Sequence, residues 1–389
     1  MAKSLEKLLY LFLVCCLGMS LYSLYFKQSK SISTIAIHMR MAKRMASGVH
    51  SFPAYPKGVP HKGYYNTVNF VQKTTSWKYN KTVSVVLMLC SLFSLFVTIL
   101  ILIQLLQHFK LNPLAAFFFA LVLNIVTVIY FPFFRNNYKG HGSPNVWHNS
   151  TFIVMKPFAL LAFYFLVFGK NQIKESLHYI MGTAALILSI YTKPTFAVAF
   201  IPAYGSYIAY NFLVKREALN WKACIAMFLG LCFMAYQFYF GYAESPDVVS
   251  EKSMGFSFLT SWKFQSSNIP LSLLTGLSFP LSVLLLLNKK ALKKPYLILG
   301  WLMIIISVAF VSSISEVLNG KISLANNFMG LYNISLALIF TFSLVELIKS
   351  TLNDKNSKFS IKICWLVFGV HFLSGLYLIW SVYFYNKAW

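Results

Sequence analysis

Acidic side chains are scarce. Nine Asp and Glu stand against 34 Lys and Arg in 389 residues, and all charged types together make up 11% of the chain. A soluble domain is nearer a quarter charged, so a water-facing globule is excluded. The longest hydrophilic stretch, 27–80, is basic and contains no acid at all. That absence argues against a divalent-metal site there, because hard cations want carboxylate oxygens. Loop cysteines are missing as well. Cys15, Cys16, Cys90, Cys224, Cys232 and Cys364 all fall in apolar runs without ligand spacing, so neither a disulfide framework nor a cysteine metal site is expected. Strand-like alternation is also lacking, which leaves helices as the way to satisfy backbone groups in lipid. No soluble basic domain exists to carry nucleic acid. The net charge of +25 therefore reads first as positive loops and contact with anionic membrane lipid. An anionic substrate, such as a lipid phosphate, is the sharper alternative.

What is present is apolar sequence, 58% of the chain. Runs of about twenty residues recur, each long enough to cross a hydrocarbon core of about 30 Å. We place them near 5–26, 83–107, 113–134, 153–169, 177–192, 195–214, 222–242, 270–288, 296–315, 330–349 and 362–385. The expected fold is an all-α polytopic transmembrane bundle of about eleven spans, ten to twelve, forming one domain over 1–389. The first run is too long for a signal-peptide core and reads as a retained anchor. Short loops carry more Lys and Arg on the N-terminal side of the membrane, which places the N-terminus in the cytoplasm of a cell (plasma) membrane. The basic stretch 27–80 would then lie outside and counts against that margin. Within it, Ser31 to Ser47 suits an interfacial helix with Ile32, Ile35, Met39 and Ala42 on one side. Ser51 to Tyr65, rich in Pro, Gly, Tyr and His, reads as an ordered loop.

The densest polar run between apolar segments is 140–151, Gly-His-Gly-Ser-Pro-Asn-Val-Trp-His-Asn-Ser-Thr. Gly140, Gly142 and Pro144 punctuate a tight loop. Asn145, Asn149, Ser150 and Thr151 offer neutral hydrogen bonds, Trp147 a flat apolar plate, and Arg135, Lys139, His141, His148 and Lys156 surround the run that starts at Ser143. Such a set suits a sugar or a phosphate. The plainer reading is an interfacial loop with Trp147 in the aromatic belt and Ser150 or Thr151 capping the next helix. His141 and His148 lack the carboxylate or Cys that would complete a zinc site, so no metal or other cofactor is expected. Lys156-Pro157 and Lys193-Pro194 are both placed at the outer membrane boundary, where a buried cation wants a partner. The outer acids are Glu244, Asp247, Glu251 and Glu316. Of these, Glu316 opens a run through Gly320 and Lys321 to Asn327, and pairing with Lys321 is its structural alternative.

Two loop patterns carry a resemblance: Gly142-Ser143-Pro144-Asn145-Val146-Trp147-His148-Asn149, and Glu316 followed by Gly320, Asn327, Phe328 and Gly330. With the long first outer loop and the number of spans, the chain resembles the GT-C class of integral membrane glycosyltransferases. The resemblance implies a polyprenyl-phosphate-linked sugar donor, a glycan or lipid acceptor, and an active site built from outer loops. One departure matters. Members usually carry an Asp or Glu in the first outer loop, and 27–80 has none. A proton acceptor for the attacking hydroxyl must then come from Glu316, Asp247, His148 or His141. Arg135, Lys139, Lys156, Lys193 and Lys321 would meet the donor phosphate, and Ser143, Asn145, Trp147, Asn149 and Asn327 the sugar. The expectation is a membrane glycosyltransferase or oligosaccharide-unit polymerase of surface-glycan assembly, in which 140–151 works with 316–328. A flippase for a lipid-linked saccharide and a non-enzymatic scaffold remain the alternatives.

Overall fold

The structure is a computed structural model and describes residues 2–31, 33–49, 52, 59, 61–109, 111–130, 142–168, 175–242, 252–287, 293–322, 328–353 and 357–385. Its helices are α1 (Ala2–Lys30), α2 (Thr34–Ala46), α3 (Gly63–Thr75), α4 (Tyr79–Leu106), α5 (Pro113–Ile125), α6 (Ser150–Phe168) and α7 (Glu175–Thr192). They continue as α8 (Thr195–Leu213), α9 (Trp221–Tyr242), α10 (Thr260–Gln265), α11 (Ile269–Leu286), α12 (Pro295–Ser313), α13 (Met329–Asn353) and α14 (Lys358–Tyr385). A small antiparallel sheet, β1 (Lys252–Phe256), β2 (Ile314–Leu318) and β3 (Lys321–Ile322), pairs Met254 with Glu316 and Leu318 with Lys321. Among the described residues, nine helices are long and apolar enough to cross a membrane: α1, α4, α6, α8, α9, α11, α12, α13 and α14. Helix α7, with Glu175 and His178 in its first turn, falls short of that apolarity, and α5 falls short of that length. These two occupy the remaining apolar runs among the described residues.

Helix α13 is the axis. Nearly every residue from Met329 to Ile348 is buried, Ser335 and Ser343 included, because α4, α5, α6, α8, α11, α12 and α14 all pack around it. At its foot Glu346 accepts hydrogen bonds from Lys294 Nζ at 3.0 Å, Tyr296 Oη at 2.5 Å and Lys349 Nζ at 3.3 Å, which ties α12 to α13. The opposite end, called the upper end below, carries α2, α3 and the sheet.

Two elements differ from the expectation. A span over 113–134 is replaced by α5, 13 residues and so about 20 Å long. After Ile125 the backbone is irregular, through the β-branched run Val126-Thr127-Val128-Ile129. Irregular backbone at membrane depth is tolerated only when protein satisfies it, and here α11, α14 and the loop before α6 do so. Thr127 N donates to His371 O at 3.3 Å, and His371 Nδ1 donates to Thr127 O at 2.6 Å. His371 Nε2 then accepts from Ser278 Oγ at 2.8 Å. Tyr130 N donates to Ser374 Oγ at 3.1 Å.

The second difference is α3, Gly63–Thr75, which begins inside the stretch Ser51 to Tyr65 expected as loop and runs on beyond it. Its apolar positions Tyr64, Tyr65 and Val68 recur at helical spacing and are buried. Before it, α2 lies where the amphipathic pattern placed a helix, capped by Ser33 Oγ, which accepts from Ala36 N at 3.2 Å. Its buried face is Ile35, Ala36, Ala42 and Met45.

Candidate active site

The loop 142–149 folds back over the end of α5. Gly142 has φ +66° and its missing side chain leaves room for the Tyr332 ring, so glycine is required there on both counts. Ser143 N donates to Asn333 Oδ1 at 2.8 Å, and Ser143 Oγ bonds Thr127 Oγ1 at 2.7 Å. Asn145 is buried. Its Nδ2 donates to Leu123 O at 2.7 Å and Val126 O at 2.8 Å, closing carbonyls that the end of α5 leaves open. Asn149 Oδ1 accepts from Phe152 N at 3.0 Å and caps α6, the role expected of Ser150 or Thr151. These three polar side chains hold the loop together, and Asn145 also lines the cavity described below.

Lys156 lies deeper than the boundary expected for it. Because α6 begins at Ser150, Lys156 is six residues inside the helix, about 9 Å from its start. Its ammonium donates to Asn145 Oδ1 at 2.6 Å and Asn124 Oδ1 at 3.1 Å, with no carboxylate in either bond. These groups form the polar end of a cavity of about 310 Å³ between α1, α4, α5, α6 and α14. Leu17, Leu21, Leu24, Leu95 and Ile379 line its apolar length, and Trp147 borders it beside Lys156. Trp147 Nε1 is buried and has no partner among the described residues.

A second centre lies one residue along the chain from Trp147. Lys193, in the turn between α7 and α8, is 4% exposed. Burial pulls its ammonium down to about 8, and the Glu316 carboxylate acts the other way. Its charge also reaches His148 and His38. Burial first, then Lys193, lowers His148 to about 4 and His38 to about 3, so both are neutral imidazoles at pH 7. Glu316, on β2, is buried, whereas Lys321 stands exposed on β3. The Glu316 carboxylate acts on the charge of Lys193.

Close backbone approach brings these elements together. A Cβ on Gly63 would lie 2.8 Å from Thr192 Oγ1, and one on Gly330 would lie 2.9 Å from Thr195 Cγ2. Arg135, Lys139, His141, Asp247 and Asn327 lie outside the described residues. Among those described, no three His, Cys, Asp or Glu side chains converge as a metal site would require.

Three site residues carry no motif in the sequence. His38 sits beside the apolar stripe of α2, one turn from Ile35, and its ring stacks on Tyr65 at 5.9 Å. Tyr65 Oη lies 3.5 Å from His38 Nδ1. Tyr64 meets Tyr65 edge-on at 5.1 Å. A histidine on the buried side of a basic amphipathic helix was the available signal for the first. For the two tyrosines the signal was helical spacing inside a Tyr-rich loop.

No family model and no curated protein matches the sequence. Among solved structures, the crystal structure of ArnT from Cupriavidus metallidurans bound to undecaprenyl phosphate superposes with a TM-score of 0.51 at 13% sequence identity. The match covers 96% of this chain and 76% of that one. At that identity the likeness is one of fold, and it meets the resemblance carried by the loop patterns: this chain has the GT-C-like membrane helical bundle of ArnT.

Proposed function

We propose that this protein is a membrane glycosyltransferase that takes its sugar from a polyprenyl-phosphate-linked donor at the outer face. The observation that carries the reading is the buried Lys156 ammonium at the polar end of an apolar cavity. A lysine at that depth, held by amides alone among the described residues, is poised for an anion. The apolar length of the cavity suits the chain attached to that anion. Fold likeness to a protein seen with undecaprenyl phosphate adds support.

In the reaction, the hydroxyl oxygen of the acceptor attacks the sugar carbon bonded to phosphate. The bond between that carbon and the phosphate oxygen breaks, and the lipid phosphate leaves with the electron pair. Lys156 stabilises the charge that grows on the leaving phosphate. The hydroxyl proton passes to Glu316 or to the neutral imidazole of His148, both of which lie around Lys193. A flippase needs polar groups free along the mid-spans. Asn124, Glu346 and His371 bond to protein partners, and the span residue Gln237 has a buried Oε1 that lacks one among the described residues.

The test is turnover by purified protein in lipid nanodiscs, given a panel of polyprenyl-phosphate sugars. Wild type should release sugar from at least one. Lys156→Met should lower kcat/KM by about 100-fold or more, the size of losing one charge-stabilising donor. Undiminished turnover in that variant, or no transfer from any donor, would end the proposal.

A further inference from the structure

The cavity that ends at Lys156 has an open side among the described residues. Its walls on α4, α6 and the 142–149 loop are closed: Ser94, Leu95, Asn145, Phe152 and Ile153 are each 6% exposed or less. On α1 and α14 the lining reaches the surface of the bundle. Ser20 is exposed, Ile379 is half-buried and Tyr383 is 37% exposed. Met19 and Trp380, their neighbours in sequence, are exposed as well. Helix α1 packs mainly on α4, and α14 mainly on α11, so each is braced from behind rather than against the other.

This opening has a defined top. Ser23 Oγ bonds Tyr383 Oη at 2.9 Å, and Lys27 Nζ donates to Tyr383 O. These bonds join α1 to α14 about one helical turn closer to the upper end than Ser20 and Ile379. Nearby hydroxyls are already bonded within the protein, Ser20 Oγ to Cys16 O at 2.9 Å and Tyr25 Oη to Ser91 Oγ at 2.7 Å. An occupant passing between Ser20 and Ile379 therefore meets a wall that asks for no hydrogen bond from it.

Size and surroundings say what can lie there. A cavity of about 310 Å³ is at the small end for holding even a drug-sized ligand. Most of a long polyprenyl chain must then lie outside it. Both α1 and α14 have the length and apolarity of membrane spans, so the side between them faces hydrocarbon. A chain leaving the cavity on that side stays out of water along its whole length, which the hydrophobic effect favours. Leaving past the polar 142–149 loop would expose it.

We infer that the gap between α1 and α14, below the Ser23–Tyr383 bond, is a lateral portal for a lipid with one anionic head: the lipid enters from the bilayer between Ser20 and Ile379, sets its head at Lys156 and leaves the rest of its tail in the membrane. The inference rests on the proposed lipid-phosphate donor and names its route. The same gap returns the spent lipid phosphate to the bilayer.

The experiment uses the full chain in nanodiscs and stopped-flow tryptophan fluorescence, with farnesyl phosphate as the probe and farnesol as its headless control. Wild type should bind farnesyl phosphate, and Lys156→Met should weaken that binding to the level of farnesol. Ser20→Phe narrows the gap. It should slow association and dissociation alike, each by about 10-fold or more, and so leave Kd within a few-fold of wild type. Tyr383→Phe removes one oxygen from the top of the gap and keeps the ring. It should raise both rates together. The portal is overturned if Ser20→Phe leaves association unchanged, or if it weakens Kd only through faster dissociation, which is what a residue that merely touches the bound lipid would do. Lys156-dependent binding with rates indifferent to both portal variants would sink the portal and leave the donor reading standing. No binding of farnesyl phosphate, or binding indifferent to Lys156→Met, would end both. Portal kinetics without sugar transfer from any polyprenyl-phosphate donor would keep the portal and end the transferase.

Discussion

Lys156 is held by two amides, and one of them has a second task. Asn145 accepts from the ammonium through Oδ1 and closes the α5 terminus through Nδ2. Asn145→Ala removes one of the two acceptors and two donors at once, so it should cost about 1–3 kcal/mol. A lower melting temperature in nanodiscs checks it, and an unchanged one would mean that water replaces the amide. The histidines give a pH signature. His38 and His148 titrate near 3 and 4 in the folded protein, below the ordinary value of 6.5. The unfolded chain then binds more protons between those values, so their contribution is present above about pH 6.5 and lost as pH falls toward 4. With both rings partly exposed, each contributes on the order of 1–2 kcal/mol. His148→Asn should flatten part of this acid limb in pH-dependent unfolding. Lys193 acts with the opposite placement. Its folded value near 8 lies below 10.5, so stability rises as pH climbs from about 8 toward 10.5.

Short helices and turns decide where these residues meet. Helix α5 stops halfway, and the irregular backbone beyond it is sustained because His371, Ser374 and Asn145 take up its polar groups. The amphipathic pattern of α2 was plain in the chain because its apolar residues recur at helical spacing. The pattern of α3 was masked by the Pro, Gly, Tyr and His residues that precede and begin it. The turn carrying Lys193 is wedged against α3, where Gly63 leaves no room for a methyl group beside the Thr192 backbone at 2.9 Å. Gly63→Ala must therefore displace that turn. We expect a destabilisation of about 1–3 kcal/mol from overpacking, read as a lower melting temperature in nanodiscs. An unchanged melting temperature would mean that the turn yields to the added methyl group without cost.

At the scale of the whole molecule, nine helices among the described residues are long and apolar enough to cross a membrane. In the bundle α2, α3, the 142–149 loop, Lys193 and β2 share one end. A reporter fused within the 142–149 loop should read as extracytoplasmic, and one at the N-terminus as cytoplasmic. The reverse result would remove outer-face donors from the mechanism. The basic stretch 27–80 opposes this orientation in a simple charge count, which gives the measurement its value.

Composition alone determined the class of molecule. Apolar runs of span length admit one solution in lipid, a helical bundle with satisfied backbones, and the near absence of acids narrowed the proton acceptors to a few named residues. The loops at 142–149 and 316–330 were legible as important because polar residues are conspicuous between such runs. Their division of labour was not legible. Asn149 caps α6, Asn145 both closes the end of α5 and lines a cavity that Trp147 borders, and Lys156 is buried inside a helix rather than at a boundary, since each place depends on which carbonyl or ammonium lies opposite. Only tertiary packing could bring Lys193, Glu316, His148 and His38 to one place from four separate segments, and sequence spacing holds no record of contacts made across a bundle.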